Sequence, residues 1–117
     1  MASDTRVLLT KLRQLPPSVP NAVLIAFDGG DAAALVISEA IRLMRARADA
    51  KDEAFFTSRG FGGTRAFYER FLRLGAVLGW CEGAAGDARA SLWVNRSARI
   101  PLPDRALRAC LTSLRGA

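Results

Sequence analysis

The chain has 117 residues, half of them apolar and 24 % charged, which is enough for one modest hydrophobic core and too little for two. It holds two cysteines, Cys81 and Cys110, in no Cys-x-x-Cys spacing, and no histidine. A structural zinc site and the Ser-His and Cys-His nucleophile pairs are therefore not expected, and the chain is read as a non-enzyme without a cofactor.

The first predicted element is a short amphipathic helix over residues 5–15, with Val7, Leu8, Leu12 and Leu15 apolar and Arg6, Lys11, Arg13 and Gln14 between them. Pro16, Pro17 and Pro20 end it. Ala22 to Phe27 is a continuous apolar run bounded by turn residues, read as a buried strand with a helical turn as the alternative. Asp28-Gly29-Gly30-Asp31 is a turn in which Asp31 caps the next helix. It has neither the Lys-Ser/Thr ending of a nucleotide loop nor a third carboxylate for Mg²⁺.

From Ala32 to about Ala48, Ala33, Val36, Ile37, Ala40, Ile41, Leu43 and Met44 recur at helical spacing. A short helix within 49–58 carries Phe55 and Phe56, and the glycines at 60, 62 and 63 form a turn. A helix over 64–74 follows, burying Phe67 or Tyr68 together with Phe71 and Leu74, with Gly75 as its terminator. Residues 76–82 and 90–96 read as a hairpin with a small-residue tip over 83–89, in which Trp80 and Trp93 are core residues rather than base-stacking platforms. After Pro101 and Pro103, residues 104–114 form a last helix with Leu107, Cys110, Leu111 and Leu114 on one side. Both cysteines read as small buried hydrophobes.

The net charge is +6, and it is uneven: residues 61–117 carry nine basic side chains against four acidic ones. Fifteen of the seventeen basic residues are arginine, whose planar fork suits bidentate contacts to phosphates and guanine edges. The N-terminus lacks the basic-then-apolar layout of a secretory signal, and no run approaches the ~20 apolar residues of a membrane span. A cytoplasmic protein without membrane association is expected.

The order of helix 32–48, helix 52–58, helix 64–74 ending in Arg73-Leu74-Gly75-Ala76-Val77, and then a hairpin resembles the core of a winged-helix DNA-binding domain, over residues 31–96. The fold class expected is therefore α+β and winged-helix-like, a helical core with a β-hairpin in the second half and flanking helices, all in one domain. The resemblance implies that helix 64–74 enters the major groove and that 83–89 is the wing tip. It assigns Thr64, Arg65 and Arg70 to bases or phosphates and Arg73 to the adjacent backbone.

Arg89 in the tip, and Arg96 and Arg99 around Ser97 after Asn95, add phosphate-compatible donors. The alternative for the helix is a solvated face on which Arg65, Glu69 and Arg73 pair among themselves. The functional expectation is a small DNA-binding transcriptional regulator or accessory factor, with RNA as a further partner class. A homodimer is to be formed through residues 1–27 and 104–115. The competing expectation is an interaction module whose arginines meet an acidic protein.

Overall fold

The computed structural model describes residues 2–27, 33–82 and 88–116, and the side chains of 5–27, 34–81 and 90–113. It is an α+β fold: α1 (Ala2–Leu12), β1 (Ala22–Phe27), α2 (Ala33–Asp49), α3 (Glu53–Thr57), α4 (Thr64–Phe71), β2 (Ala76–Glu82), β3 (Ala88–Val94) and α5 (Asp104–Gly116). The Asp28–Asp31 turn and the Gly83–Asp87 part of the expected wing tip lie outside the described residues.

The strands form one mixed sheet in the order β1-β2-β3. β1 runs parallel to β2, from Ala22 opposite Ala76 to Phe27 opposite Cys81. β3 runs antiparallel to β2, from Val94 opposite Ala76 to Ala88 opposite Glu82. A parallel pair needs a long crossover, and α2, α3 and α4 supply it. The hairpin is therefore not a free-standing ribbon, because its first strand is the central strand of the sheet.

Alternation along the strands sends Val23, Ile25 and Val77 into the core with Leu8, Leu9 and Leu12 of α1 and Ile37, Ile41 and Met44 of α2. On the other face lie Ala22, Leu24 and Leu78, overlooked by α5. Of the alternatives Phe67 and Tyr68, Phe67 is the one fully buried. It stacks on Phe56 with ring centroids 4.5 Å apart and on Phe71 at 5.6 Å. Trp93 is half-buried against Phe71, as a core role requires.

α2 ends where expected, near Ala48, while Gly75 and Cys110 depart from their expected roles. α2 closes with Asp52 N–H donating to Arg47 C=O and Lys51 N–H donating to Ala48 C=O, a Schellman arrangement that puts Lys51 at φ 54°. Gly75 does not terminate α4 by a left-handed turn; it permits close approach, since a Cβ there would stand 2.8 Å from the Asn21 carbonyl oxygen. Cys110 is exposed rather than buried, whereas Cys81 is buried as expected.

The end of α4 is held by two buried asparagines. Asn95 Nδ2 donates to Phe71 C=O at 3.0 Å and to Leu74 C=O at 2.8 Å, while its Oδ1 accepts from Ser97 N–H. Asn21 Nδ2 donates to Arg73 C=O at 3.0 Å and to Pro16 C=O at 2.9 Å. Buried helix-end carbonyls need such donors. Asn95→Ala is expected to lower stability by about 1–3 kcal/mol by leaving those carbonyls unmet. Asn95→Asp is expected to lose more, because it turns an acceptor toward them. Urea midpoints at unchanged slope test both, and an unmoved midpoint would show that water replaces the amide.

Tyr68, the only tyrosine, donates its hydroxyl to Asp49 Oδ1 at 2.9 Å. Burial first, and then the Asp49 hydrogen bond and charge, raise its pKa above the ordinary 10.0. A raised phenol pKa favours the protonated form in the fold. This contribution is complete below the unfolded value and is lost as pH rises through the folded one. Phenolate absorbance of the native protein is expected to titrate above 10.0, and Asp49→Asn is expected to bring the midpoint down; an unmoved midpoint in that variant would dismiss the contact.

Candidate functional site

One face of α1 carries Arg6, Leu9 and Thr10, and the turn that directly follows it continues the stripe with Arg13 and Gln14. The turn after α3 and the side of α4 that carries Ala66 and Arg70 stand opposite. Two adjoining depressions of about 370 Å³ each lie between them. One is lined by Arg13, Gln14, Phe61, Gly62, Ala66 and Arg70, the other by Arg6, Leu9, Ser58 and Arg59, and both by Thr10, Arg13 and Gly60. The result is one open groove bordered by four guanidinium groups.

The four arginines are held differently. Arg70 Nη1 donates to Arg13 C=O at 3.1 Å, one of the carbonyls left over where α1 ends. Arg59 Nη1 donates to Phe55 C=O at 2.9 Å, and the group lies over the Phe55 ring, 3.9 Å from its centroid. The side chains of Arg6 and Arg13 make no hydrogen bond or ion pair among the described residues. Arg13 instead rests on the backbone at Gly60, where a Cβ would come within 2.5 Å of Nη1. The ion pairs found among the described residues, Arg42–Glu39 and Arg47–Asp52, both lie on other elements, so no described carboxylate pairs with a groove arginine.

The N-terminus of α4 is a natural anion site, but the protein fills it itself. Glu53 Oε2 accepts from Thr64 N–H at 2.9 Å, and Gly63 leaves room for the carboxylate. Any anion drawn to this region meets arginine side chains rather than the helix end.

The residues expected from sequence are dispersed by comparison. Thr64 is buried and its hydroxyl has no partner among the described residues. Arg65 is exposed on α4, one residue from the groove-lining Ala66. Arg70 joins the groove. Arg73 turns away from Glu69, donating through Nη1 to Leu15 C=O at 3.0 Å, and no ion pair links Arg65, Glu69 and Arg73.

Arg96 and Arg99 are exposed where the chain leaves β3, and Arg99 N–H donates to Leu72 C=O at 2.9 Å. Asn95 is buried under α4 and is not a surface donor. The side chain of Arg89 lies outside the described residues. Sequence reading missed Arg6, Arg13 and Arg59 as site residues. The i, i+4, i+7 spacing of Arg6, Thr10 and Arg13 was visible, but nothing local joins it to Arg59.

Two further hollows are of other kinds. Trp93 borders one with Arg42, Arg45 and Asp49, and an apolar one lies between α5 and β1. Among the described residues, no cluster of three metal-ligating side chains occurs, and no helix is long and apolar enough to cross a membrane.

No protein family, curated protein or solved structure matches this chain.

Gly60 adopts φ +91° and underlies Arg13. Gly60→Ala is expected to cost about 1–2 kcal/mol through left-handed backbone strain and to displace the Arg13 guanidinium. Chemical denaturation measures the loss, and an unchanged midpoint would mean that Arg13 does not rest there.

Proposed function

We propose that this chain is a nucleic-acid-binding protein, in the first place a small DNA-binding regulator or accessory factor, that holds the phosphate backbone along the α1/α4 groove. One observation carries the reading: four guanidinium groups border a single open groove, and none of them is paired with a carboxylate among the described residues. Arg6 on α1 and Arg13 in the turn after it are seven residues apart, about 10 Å when the helical rise is carried through to Arg13, a span of some three phosphates at ~3.4 Å rise per strand. Thr10, Gln14 and Ser58 add neutral donors of the type that position a backbone.

In this reading the exposed Arg65 of α4 is the base-reading candidate, which retains the winged-helix role of that helix. Arg96, Arg99 and Arg89 extend phosphate contacts beyond the groove. Thr64, being buried, takes no part. Every arginine that meets a phosphate releases condensed counterions, so affinity must fall steeply with salt.

The test is retention of mixed-sequence duplex DNA by the purified chain at about 50 and 200 mM salt. Arg13→Ala and Arg6→Ala are expected to weaken binding and each to lower the logarithmic salt slope by about one, without unfolding the protein. Arg108→Ala on α5 removes the same charge away from the groove and is expected to leave the slope unchanged. Equal effects from all three would reduce the interaction to net charge. No retention at the lower salt would overturn the proposal and leave the groove to an acidic protein surface.

A further inference from the structure

The two edges of the sheet are treated differently. β3 is packed by α5 and carries Arg89 within its run. β1 hydrogen-bonds to β2 alone, so the N–H and C=O groups on its outer side meet no protein partner among the described residues. Exposed strand edges are usually blunted by a charge, a proline or a bulge. Ala22 to Phe27 contains no charge and no proline, and its pairing with β2 is continuous. It lies inside Gln14–Phe27, the longest stretch of the chain without a charged side chain.

The exposed side chains of this edge are apolar. Leu24 is 55 % exposed, Ala22 and Ala26 are exposed beside it, and an apolar hollow of about 380 Å³ separates Leu24 from Cys110 of α5. The outer backbone of β1 calls for another extended strand, and its chemistry calls for an uncharged one. We infer that the occupant is a second copy of the chain, with the two β1 strands paired antiparallel about a two-fold axis at Leu24.

The register follows from parity and size. Opposed residues must point to the same face, so the two residue numbers of a pair must have an even sum. Centring on Leu24 sets Leu24 against Leu24, Val23 against Ile25 and Ala22 against Ala26, matching large with large and small with small. The next register toward the C-terminus would set Ala22 against the acid Asp28 and Val23 against Phe27. The next one toward the N-terminus would bring Pro20 against Ala26. Across the six residues of β1, only the Leu24 register keeps every pair uncharged and free of proline, and only its outermost pair, Phe27 against Asn21, is unequal in size.

Light scattering of the full chain over a concentration series is expected to show twice the 12.6 kDa protomer mass. Leu24→Lys opposes two like charges across the axis and is expected to weaken association by about tenfold or more. Because Leu24 is exposed, its circular dichroism should be unchanged. In a Cys110→Ser background, Leu24→Cys is expected to form a disulfide-linked dimer on mild oxidation. Ala26→Cys alone is expected not to, while a mixture of the Ala22→Cys and Ala26→Cys chains is. A protomer mass at every concentration overturns the inference, as does a dimer that neither Leu24→Lys weakens nor Leu24→Cys links.

Discussion

The carbonyls at the end of α4 are the constraint on which the remaining structure hangs. Asn95, just after β3, and Asn21, just before β1, both donate to the carbonyls of residues 71–74. Gly75 N–H donates to Asn21 C=O at 2.8 Å, and Asn95 N–H donates to Gly75 C=O at 2.9 Å. One knot thus joins the last turn of α4 to the start of β1, the start of β2 and the exit of β3. That junction puts β2 between the other two strands and sets the Ala22–Ala76 and Ala76–Val94 pairings together. Gly75 is required there because any side chain would meet the Asn21 carbonyl.

The same helix end positions α1, and this links fold to charge. Arg70 and Arg73 reach the carbonyls of Arg13 and Leu15, which follow α1, where the helix dipole is negative. These two arginines have structural partners, and Arg59 has one in Phe55. Arg6 and Arg13 have none among the described residues, although guanidinium groups gathered without carboxylates repel one another. In a chain that places Glu53 against α4 and Asp52 against Arg47, acids are used locally where they help the backbone. Among the described residues none pairs with a groove arginine, which leaves the groove's positive potential open to an anionic group.

Much of the secondary structure was legible in sequence, because strong apolar periodicity and proline or glycine punctuation bounded the segments. The Ala22–Phe27 strand matches residue for residue, and helix 64–74 survives as α4 with its turn to Leu74. What failed to show depends on distant contacts. No local signal pairs Ala22 with Ala76, so the sheet was read as an isolated hairpin. The α2 end was legible from the end of its apolar period near Ala48, although Lys51 holds the left-handed position where glycine is the usual cue.

Thr64 was read as a surface donor at a helix start, but the cap comes from Glu53, eleven residues upstream, and the threonine side chain is left inside. Of the site, Arg70 was foreseen in sequence. Its neighbours Arg13 and Arg59 meet only because the turn at Gly60 folds against α1.

The groove and the bare strand edge use different atoms and opposite chemistry, so either can exist without the other. Their combination nonetheless changes what the chain can do. A single groove offers a few phosphate contacts, and counterion release grows with each contact added. Antiparallel pairing of β1 would relate two grooves by a two-fold axis, converting the second groove's encounter with the same nucleic acid into an intramolecular step. A two-fold protein is matched by a duplex whose backbone is itself locally two-fold symmetric, whereas a single strand has no such axis. Under the proposed nucleic-acid reading, β1 pairing would therefore favour duplex over single-stranded ligands, a preference that the arginines alone would not create.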